Sequence, residues 1–267
     1  MAPALFLLAA LFFGSGVRAE ERSSNQAPSY TSASIVNSAS NVAGELSPNS
    51  IATIYGVGMA YGTRAITADD IQGSTLPTIL PGTGVRVWVG PLAAQLYYVS
   101  PTQINFLIPC NLKAGEVDIY VSLDGSYGPI VRVALVDAAP ALFEMDARTA
   151  AATHADNSLV TSQHAASPGE IVVLYLTGLG RTVPEAVYGQ LPAGAALILR
   201  MADLQVLIGG VPLASSEVLY AGVAPGFAGL YQINFRLPRN VAANPELRVA
   251  MGTQVSAPGV WLPLKVE

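Results

Sequence analysis

Gln103-Ile104-Asn105-Phe106-Leu107-Ile108-Pro109 returns later in the same chain as Gln232-Ile233-Asn234-Phe235-Arg236-Leu237-Pro238. Ile104, Phe106 and Ile108 fall at every second position, the spacing that puts side chains on one face of a β-strand, with Gln103 and Asn105 on the other. The second copy keeps the pattern: Ile233, Phe235 and Leu237 share one face, Gln232, Asn234 and Arg236 the other. Pro109 and Pro238 stop the strand, because proline brings no N–H to the ladder. A second phrase is duplicated too: Ser47-Pro48 with Ile51, Tyr55 and Gly58 comes back as Ser167-Pro168 with Ile171, Tyr175 and Gly178. Repetition at a domain-sized spacing predicts two copies of one folding unit.

Short β-rich runs bounded by Gly and Pro surround each copy of the phrase. In the first copy they fall at 51–55, 85–89, 96–99, 103–108, 117–123 and 130–136, with the hairpin pair Asp124-Gly125 after the fifth. In the second they fall at 171–176, 204–208, 217–220, 231–237, 247–251 and 260–266. The strands are not separated by long amphipathic helices, so they are expected to pair antiparallel. The predicted fold is all-β: two tandem immunoglobulin-like (TIG-like) antiparallel β-sandwiches. The expected organisation is a signal peptide over 1–19, a flexible lead-in over 20–34, a first sandwich over 35–143, a linker over 144–166 and a second sandwich over 167–267. The copies differ most just before the repeated phrase. Ser100-Pro101-Thr102 leads into the first, and a long Gly/Pro loop over 221–229 into the second.

Composition narrows the function classes. Charged residues make up 12% of the 267 residues and hydrophobic ones 51%, with 25 Gly and 19 Pro. That mixture favours turn-rich folded β structure over a charged disordered chain. A net charge of −5 without any Lys/Arg run argues against nucleic acid, which needs a clustered basic face. The apolar run 5–13 followed by Val17-Arg18-Ala19 reads as a secretion signal cleaved before Glu20. The alternative, a membrane anchor, needs roughly 20 apolar residues to span the bilayer. Cys110 is the one cysteine, so no internal disulfide is available, and without a neighbouring His it reads as an inert thiol.

The sequence offers few chemical constellations. His154 and His164, with Asp146 and Asp156, lack the spacing of a zinc site and read as a solvated connection. The 56–62 segment nearly imitates a dinucleotide loop, but without a βαβ context it reads as a glycine-rich strand exit. Asp69-Asp70 and Asp156-Asn157 lack calcium-loop spacing. Dispersed carboxylates such as Asp118, Asp124, Glu170 and Glu217 leave glycoside hydrolysis open but unmarked.

Several stretches carry a resemblance. They are Val36-Asn37-Ser38-Ala39-Ser40, Tyr98-Val99-Ser100-Pro101-Thr102-Gln103-Ile104-Asn105-Phe106, Thr177-Gly178-Leu179-Gly180 and Tyr220-Ala221-Gly222-Val223-Ala224-Pro225-Gly226. With Gly229-Leu230-Tyr231-Gln232-Ile233-Asn234 they make the chain from about Ser32 onward similar to an uncharacterised C-terminal domain family of secreted bacterial proteins, named after Solibacter. Each half also resembles a TIG-type immunoglobulin-like domain. The resemblance implies an extracellular sandwich used for display, spacing or binding, and it carries no catalytic residue or cofactor across.

The expected function is a secreted, non-catalytic structural or interaction module, extracellular, periplasmic or at the cell surface, with an extracellular protein or polysaccharide as partner. The alternative is a carbohydrate- or polymer-binding protein, with a hydrolase a distant third. The candidate ligand or partner surface is the glycine-rich loop and the strand after it: Tyr220, Phe227, Tyr231, Gln232 and Asn234. The bland alternative for the tyrosines is burial in the core. For the amides it is hydrogen bonding to local backbone.

Overall fold

A computed structural model describes residues 27–265. The signal segment 1–19 and the first part of the lead-in lie outside the described residues. Ten strands build the first sandwich: β1 (Ile35–Asn37), β2 (Ile51–Tyr55), β3 (Arg64–Ala65), β4 (Val85–Val89), β5 (Leu92–Ala93), β6 (Gln95–Val99), β7 (Gln103–Leu107), β8 (Gly115–Leu123), β9 (Ser126–Tyr127) and β10 (Val131–Leu135). Its inner sheet runs β1-β2-β7-β6-β3, and its outer sheet β10-β8-β4-β5 with β9 on β8. The second sandwich holds β11 (Ala141–Leu142), β12 (Glu144–Asp146), β13 (Thr149–Ala150), β14 (Ala152–His154), β15 (Ile171–Thr177), β16 (Thr182–Val183), β17 (Ala196–Ile198), β18 (Leu204–Ile208), β19 (Val211–Pro212), β20 (Val218–Val223), β21 (Tyr231–Arg236), β22 (Leu247–Met251) and β23 (Gln254–Val255). Here the inner sheet runs β11-β15-β21-β20-β17-β16 with β14 also on β15, and the outer sheet β19-β18-β22-β23. Every strand pairing is antiparallel, so the chain is all-β: two tandem immunoglobulin-like sandwiches. Among the described residues no helix is long and apolar enough to cross a membrane.

The duplicated phrase forms the equivalent strand of each inner sheet, β7 and β21. Ile104, Phe106 and Ile108 are buried with Val85, Val87 and Val89 between the first pair of sheets. Ile233, Phe235 and Leu237 are buried with Val206 and Val249 between the second. Each large apolar side chain taken from water in this way contributes about 1.5–3 kcal/mol. The repeat extends to an irregularity. β6 bulges against β7 between Leu96 and Tyr98, and β20 bulges against β21 between Val218 and Tyr220. The bulges align Tyr97 with Leu219.

Two expectations need correction. The lead-in is ordered where it is described. Ser29 exchanges backbone hydrogen bonds with Val57. Tyr30 is buried, its hydroxyl donating to Pro129 O at 2.7 Å and accepting from Val121 N at 2.8 Å. One aromatic anchor with both hydroxyl valences used outweighs the polar composition around it. The segment 144–166 is not a linker. β12 and β13 form a hairpin, and Ala152, Thr153 and His154 of β14 pair with Leu174, Val173 and Val172. Ala150 and Ala152 close the second core. The chain passes between sandwiches over 136–140, and even this connection is tied down. Val136 N donates to Leu46 O and Ala139 N to Gly178 O. Gly178 has φ +84, and a Cβ there would lie 2.0 Å from Ala139 O, so only glycine fits.

The second faces of the two inner sheets meet in a third apolar core. The first sandwich contributes Ala39, Ile51, Leu76, Tyr97 and Leu107. The second contributes Phe143, Val173, Tyr175, Ala224 and Leu230, among others. The sheets are therefore layered outer, inner, inner, outer, with apolar side chains between each neighbouring pair.

Candidate functional site

The repeated amides bond to each other along their strands. Gln103 Nε2 donates to Asn105 Oδ1 at 2.9 Å, and Gln232 Nε2 to Asn234 Oδ1 at 3.0 Å. In the first copy Asn105 is buried, and Thr53 Oγ1 lies 3.0 Å from its Oδ1. In the second copy Gln232 and Asn234 are half-buried. They share the second face of the inner sheet with the half-buried Tyr220, whose hydroxyl donates to Val223 O at 2.8 Å. Burial raises the Tyr220 pKa above the usual phenol value.

The loop before the second phrase does not project as a free surface. It packs on the first sandwich. A Cβ on Gly229 would lie 2.6 Å from Leu107 Cδ1 and 2.8 Å from Ile51 Cγ1, and its φ is +73. Tyr97 OH donates to Ala228 O at 2.7 Å. Thr177 Oγ1 accepts from Ile51 N at 3.0 Å and donates to Gly229 O at 2.7 Å, so one hydroxyl links strands from both sandwiches. Phe227 is half-buried against the same cluster. Tyr231 is 0% exposed, which removes it from any surface. Its hydroxyl donates to Gly180 O and accepts from Asn49 Nδ2 at 3.0 Å. Of the five candidate residues, Tyr220, Gln232 and Asn234 are thus brought together on one face. Phe227 and Tyr231 serve the junction.

The end of the first sandwich forms a seat for the second. Asn49 reaches Tyr231, Ala93 O accepts from Tyr188 OH, and Cys110 Sγ donates to Ala186 O at 3.3 Å. Leu76 N donates to Gly189 O at 2.7 Å and Leu191 N to Ser74 O at 2.8 Å. The second-sandwich partners come largely from one segment, 184–191, between β16 and β17. Burial pushes the Cys110 thiol pKa up, and the nearby Glu185 carboxylate adds to this, so the thiolate is disfavoured. Burial likewise holds Tyr97 and Tyr231 well above the usual phenol range.

Three features lie outside the candidate surface that the sequence pointed to. The first is an open groove of about 870 Å³ at the end of the second sandwich. It is walled by Val211, Pro212, Pro238 and Val241 and carries Arg236 and Arg239. Arg236 donates to Gly169 O at 3.1 Å and lies 3.6 Å from Glu217. The second is an aromatic row across the outer sheet of the first sandwich. Trp88 and Tyr120 are register partners with ring centroids 6.0 Å apart and planes within 13°. Tyr127, 64% exposed, continues the row at 6.2 Å from Tyr120. Arg132 and Asp118, paired at 3.0 Å, lie on the same face. The third is the histidine pair. His154 Nδ1 is 2.9 Å from Glu170 Oε1, and the His154 and His164 rings are 4.2 Å apart. Hydrogen bonds from Ser158 to the neighbouring Asp156 keep that carboxyl below its ordinary pKa. Among the described residues no group of His, Cys, Asp and Glu has a metal-holding arrangement.

No protein-family model matches the sequence, and no curated protein matches it. Among solved structures the chain is similar to the SGBP-B protein of a Bacteroides ovatus mixed-linkage glucan utilization locus, at 10% identity and a TM-score of 0.30. That match covers 83% of this chain and 43% of that one. It is similar to the extracellular region of plexin A4 at 10% identity and a TM-score of 0.27, over 89% of this chain and 18% of that one. It is also similar to tandem Ig repeats of Dlar at 10% identity and a TM-score of 0.22, over 91% and 96%.

Proposed function

We propose that the chain is a secreted, non-catalytic structural module whose two sandwiches act as one rigid unit, spacing or presenting the surfaces at its two ends. The apolar core between the inner sheets carries this reading. Domains joined by a free linker move relative to each other unless the interface is large and hydrophobic. Here the connection at 136–140 is hydrogen-bonded into both sandwiches, and Leu107, Tyr97, Phe143 and Leu230 are buried between them. A pulsed electron-resonance distance measurement tests it. Spin labels go at exposed Val42 and Val255 in a Cys110→Ser background. A single narrow distance distribution is expected, and a broad one refutes rigidity.

A second reading, carbohydrate binding, is favoured by the Trp88, Tyr120 and Tyr127 row. Sugar rings stack their C–H faces on aromatic rings, and a row of two half-buried rings ending in the exposed Tyr127, beside paired polar groups, suits such a ligand. This moves the polymer-binding surface from the glycine-rich loop to the outer sheet of the first sandwich. Glycan-array binding that disappears in Tyr127→Ala supports it. Binding that persists in that variant excludes the row.

A further inference from the structure

The face that carries Gln232 and Asn234 continues outward to the edge of the sheet. One register row crosses the whole inner sheet of the second sandwich: Val183 pairs with Leu197, Leu197 with Gly222, Gly222 with Gln232 and Gln232 with Tyr175. Ile198, Ala221 and Ile233, each one residue away, are buried in the second core, so the row lies on the opposite face. At one end Tyr175 is buried in the core between the sandwiches. At the other end Val183 is 56% and Leu197 46% exposed. Leu199 is 53% exposed, and its N–H donates to Arg181 O, so the pairing of β16 with β17 continues and keeps this side chain on the same face. The half-buried Tyr220 fills the middle, where a Cβ on Gly222 would lie 2.6 Å from its hydroxyl. The row itself carries no charge.

We infer that the outer half of this face joins two copies of the chain about a two-fold axis, second sandwich against second sandwich. Contiguous apolar side chains left in water on a sheet face mark an interaction site. The inner half of the same face shows the kind of partner, because it already packs on a sandwich through Val173 and Tyr175. The exposed half continues that interface outward. A two-fold contact sets a patch on its own copy, so the patch must complement itself. Val183, Leu197 and Leu199 meet this condition, since burial of aliphatic surface is non-directional. The rim meets it as well. Arg181 is paired with Glu185, and Arg200 with Asp203 and Asp137, so both signs stand at the border and a copy turned by the two-fold axis can meet each with its opposite. β16 is two residues long and runs into Pro184, which has no N–H to offer, so the copies meet by faces and not by joining sheet edges. A sugar polymer would need free polar partners, yet Tyr220 OH already donates to Val223 O and Gln232 Nε2 to Asn234 Oδ1.

Two-fold joining goes beyond the rigid-unit reading, and either can fail alone: rigidity is read within one copy, joining from its concentration dependence. Sedimentation velocity of the full chain from low micromolar to near millimolar concentration tests it, with circular dichroism to confirm folding of each variant. A monomer–dimer equilibrium that stops at two copies is expected. Leu197→Asp puts a charge at the centre of the patch and should raise the dissociation constant by at least about tenfold. Val42→Asp, at an exposed site on the first sandwich, should leave it unchanged. In nuclear magnetic resonance spectra of the unsubstituted chain, the amides that move on dilution should be those of β16, β17 and β20. A chain that stays monomeric throughout overturns the proposal. So does growth beyond two copies, a dimer untouched by Leu197→Asp, or dilution shifts confined to the first sandwich. Binding of a glycan or of another protein at this face by a chain that never self-associates would also overturn it.

Discussion

Replacing Leu107 by alanine separates the packing between sandwiches from the packing within them. Leu107 is 3% exposed, yet it points away from its own sandwich's core and lies in the cluster between the inner sheets. Removing it opens a cavity against Ile51 and the Gly229 turn. Large-to-small changes at such sites cost about 2–5 kcal/mol, and strand backbone geometry is untouched. With a urea dependence of about 3 kcal/mol per molar, a loss of about 3 kcal/mol moves the unfolding midpoint by about 1 M. The chain has two tryptophans, and they report separately: Trp88 in the first sandwich and Trp261 beside Arg148 in the second. In a Trp88→Phe background the fluorescence of Trp261 follows the second sandwich alone. The expected result is that Leu107→Ala lowers the midpoint read at Trp261 as far as that read at Trp88 in a Trp261→Phe background. A Trp261 transition that stays in place while the Trp88 transition moves would refute the shared core.

Other consequences follow the same contacts. Gly229→Ala forces a side chain into Leu107 and Ile51 at a positive φ, and should cost about 2–4 kcal/mol read at Trp88, in the sandwich that does not carry the change. Tyr97→Phe removes the bond to Ala228 O and should cost about 1 kcal/mol by urea titration; no change would mean that the bond adds nothing net to stability. The folded-state pKa values of Tyr97 and Tyr231 lie above their unfolded value near 10, and Tyr30 is pushed up to about 12. Their stabilising effect is therefore complete below about pH 10 and declines as the pH rises beyond it, because only the unfolded chain ionises readily. Ultraviolet tyrosinate titration should show these three ionising together with unfolding, after the exposed tyrosines. A fragment beginning at Ser167 lacks β11 and β14 on β15 and should be less stable than one beginning at Asp137. Equal urea midpoints would contradict the pairing of β14 with β15.

The sandwich architecture was readable because the apolar positions of β7 and β21 recur with period two and then recur again a domain later. The junction was also written there, in a less visible form. Leu107 is an apolar residue on the face where its copy carries Arg236, and an outward leucine in a sheet marks a covered face. What could not be read locally was the partner. The glycine-rich loop at 221–229 has the composition of an exposed binding loop, and its meaning changes only when Leu107 and Ile51 arrive from the other sandwich. β14 was missed for a related reason: Ala152-Thr153-His154 ends an alanine-rich run with little intrinsic strand preference, and its order comes from pairing with Leu174, Val173 and Val172, on a separate strand. Trp88 and Tyr120 each sit at an outward alternating position, but only the register of β4 on β8 makes them neighbours.

The account stands on the two sandwiches holding one fixed orientation. Residual dipolar couplings from backbone amides of both sandwiches, collected on one weakly aligned sample, measure that orientation directly. A single alignment tensor that fits amides of β2 and β7 together with those of β15 and β21 is the predicted result. Two tensors of clearly different magnitude, one for each sandwich, would contradict it.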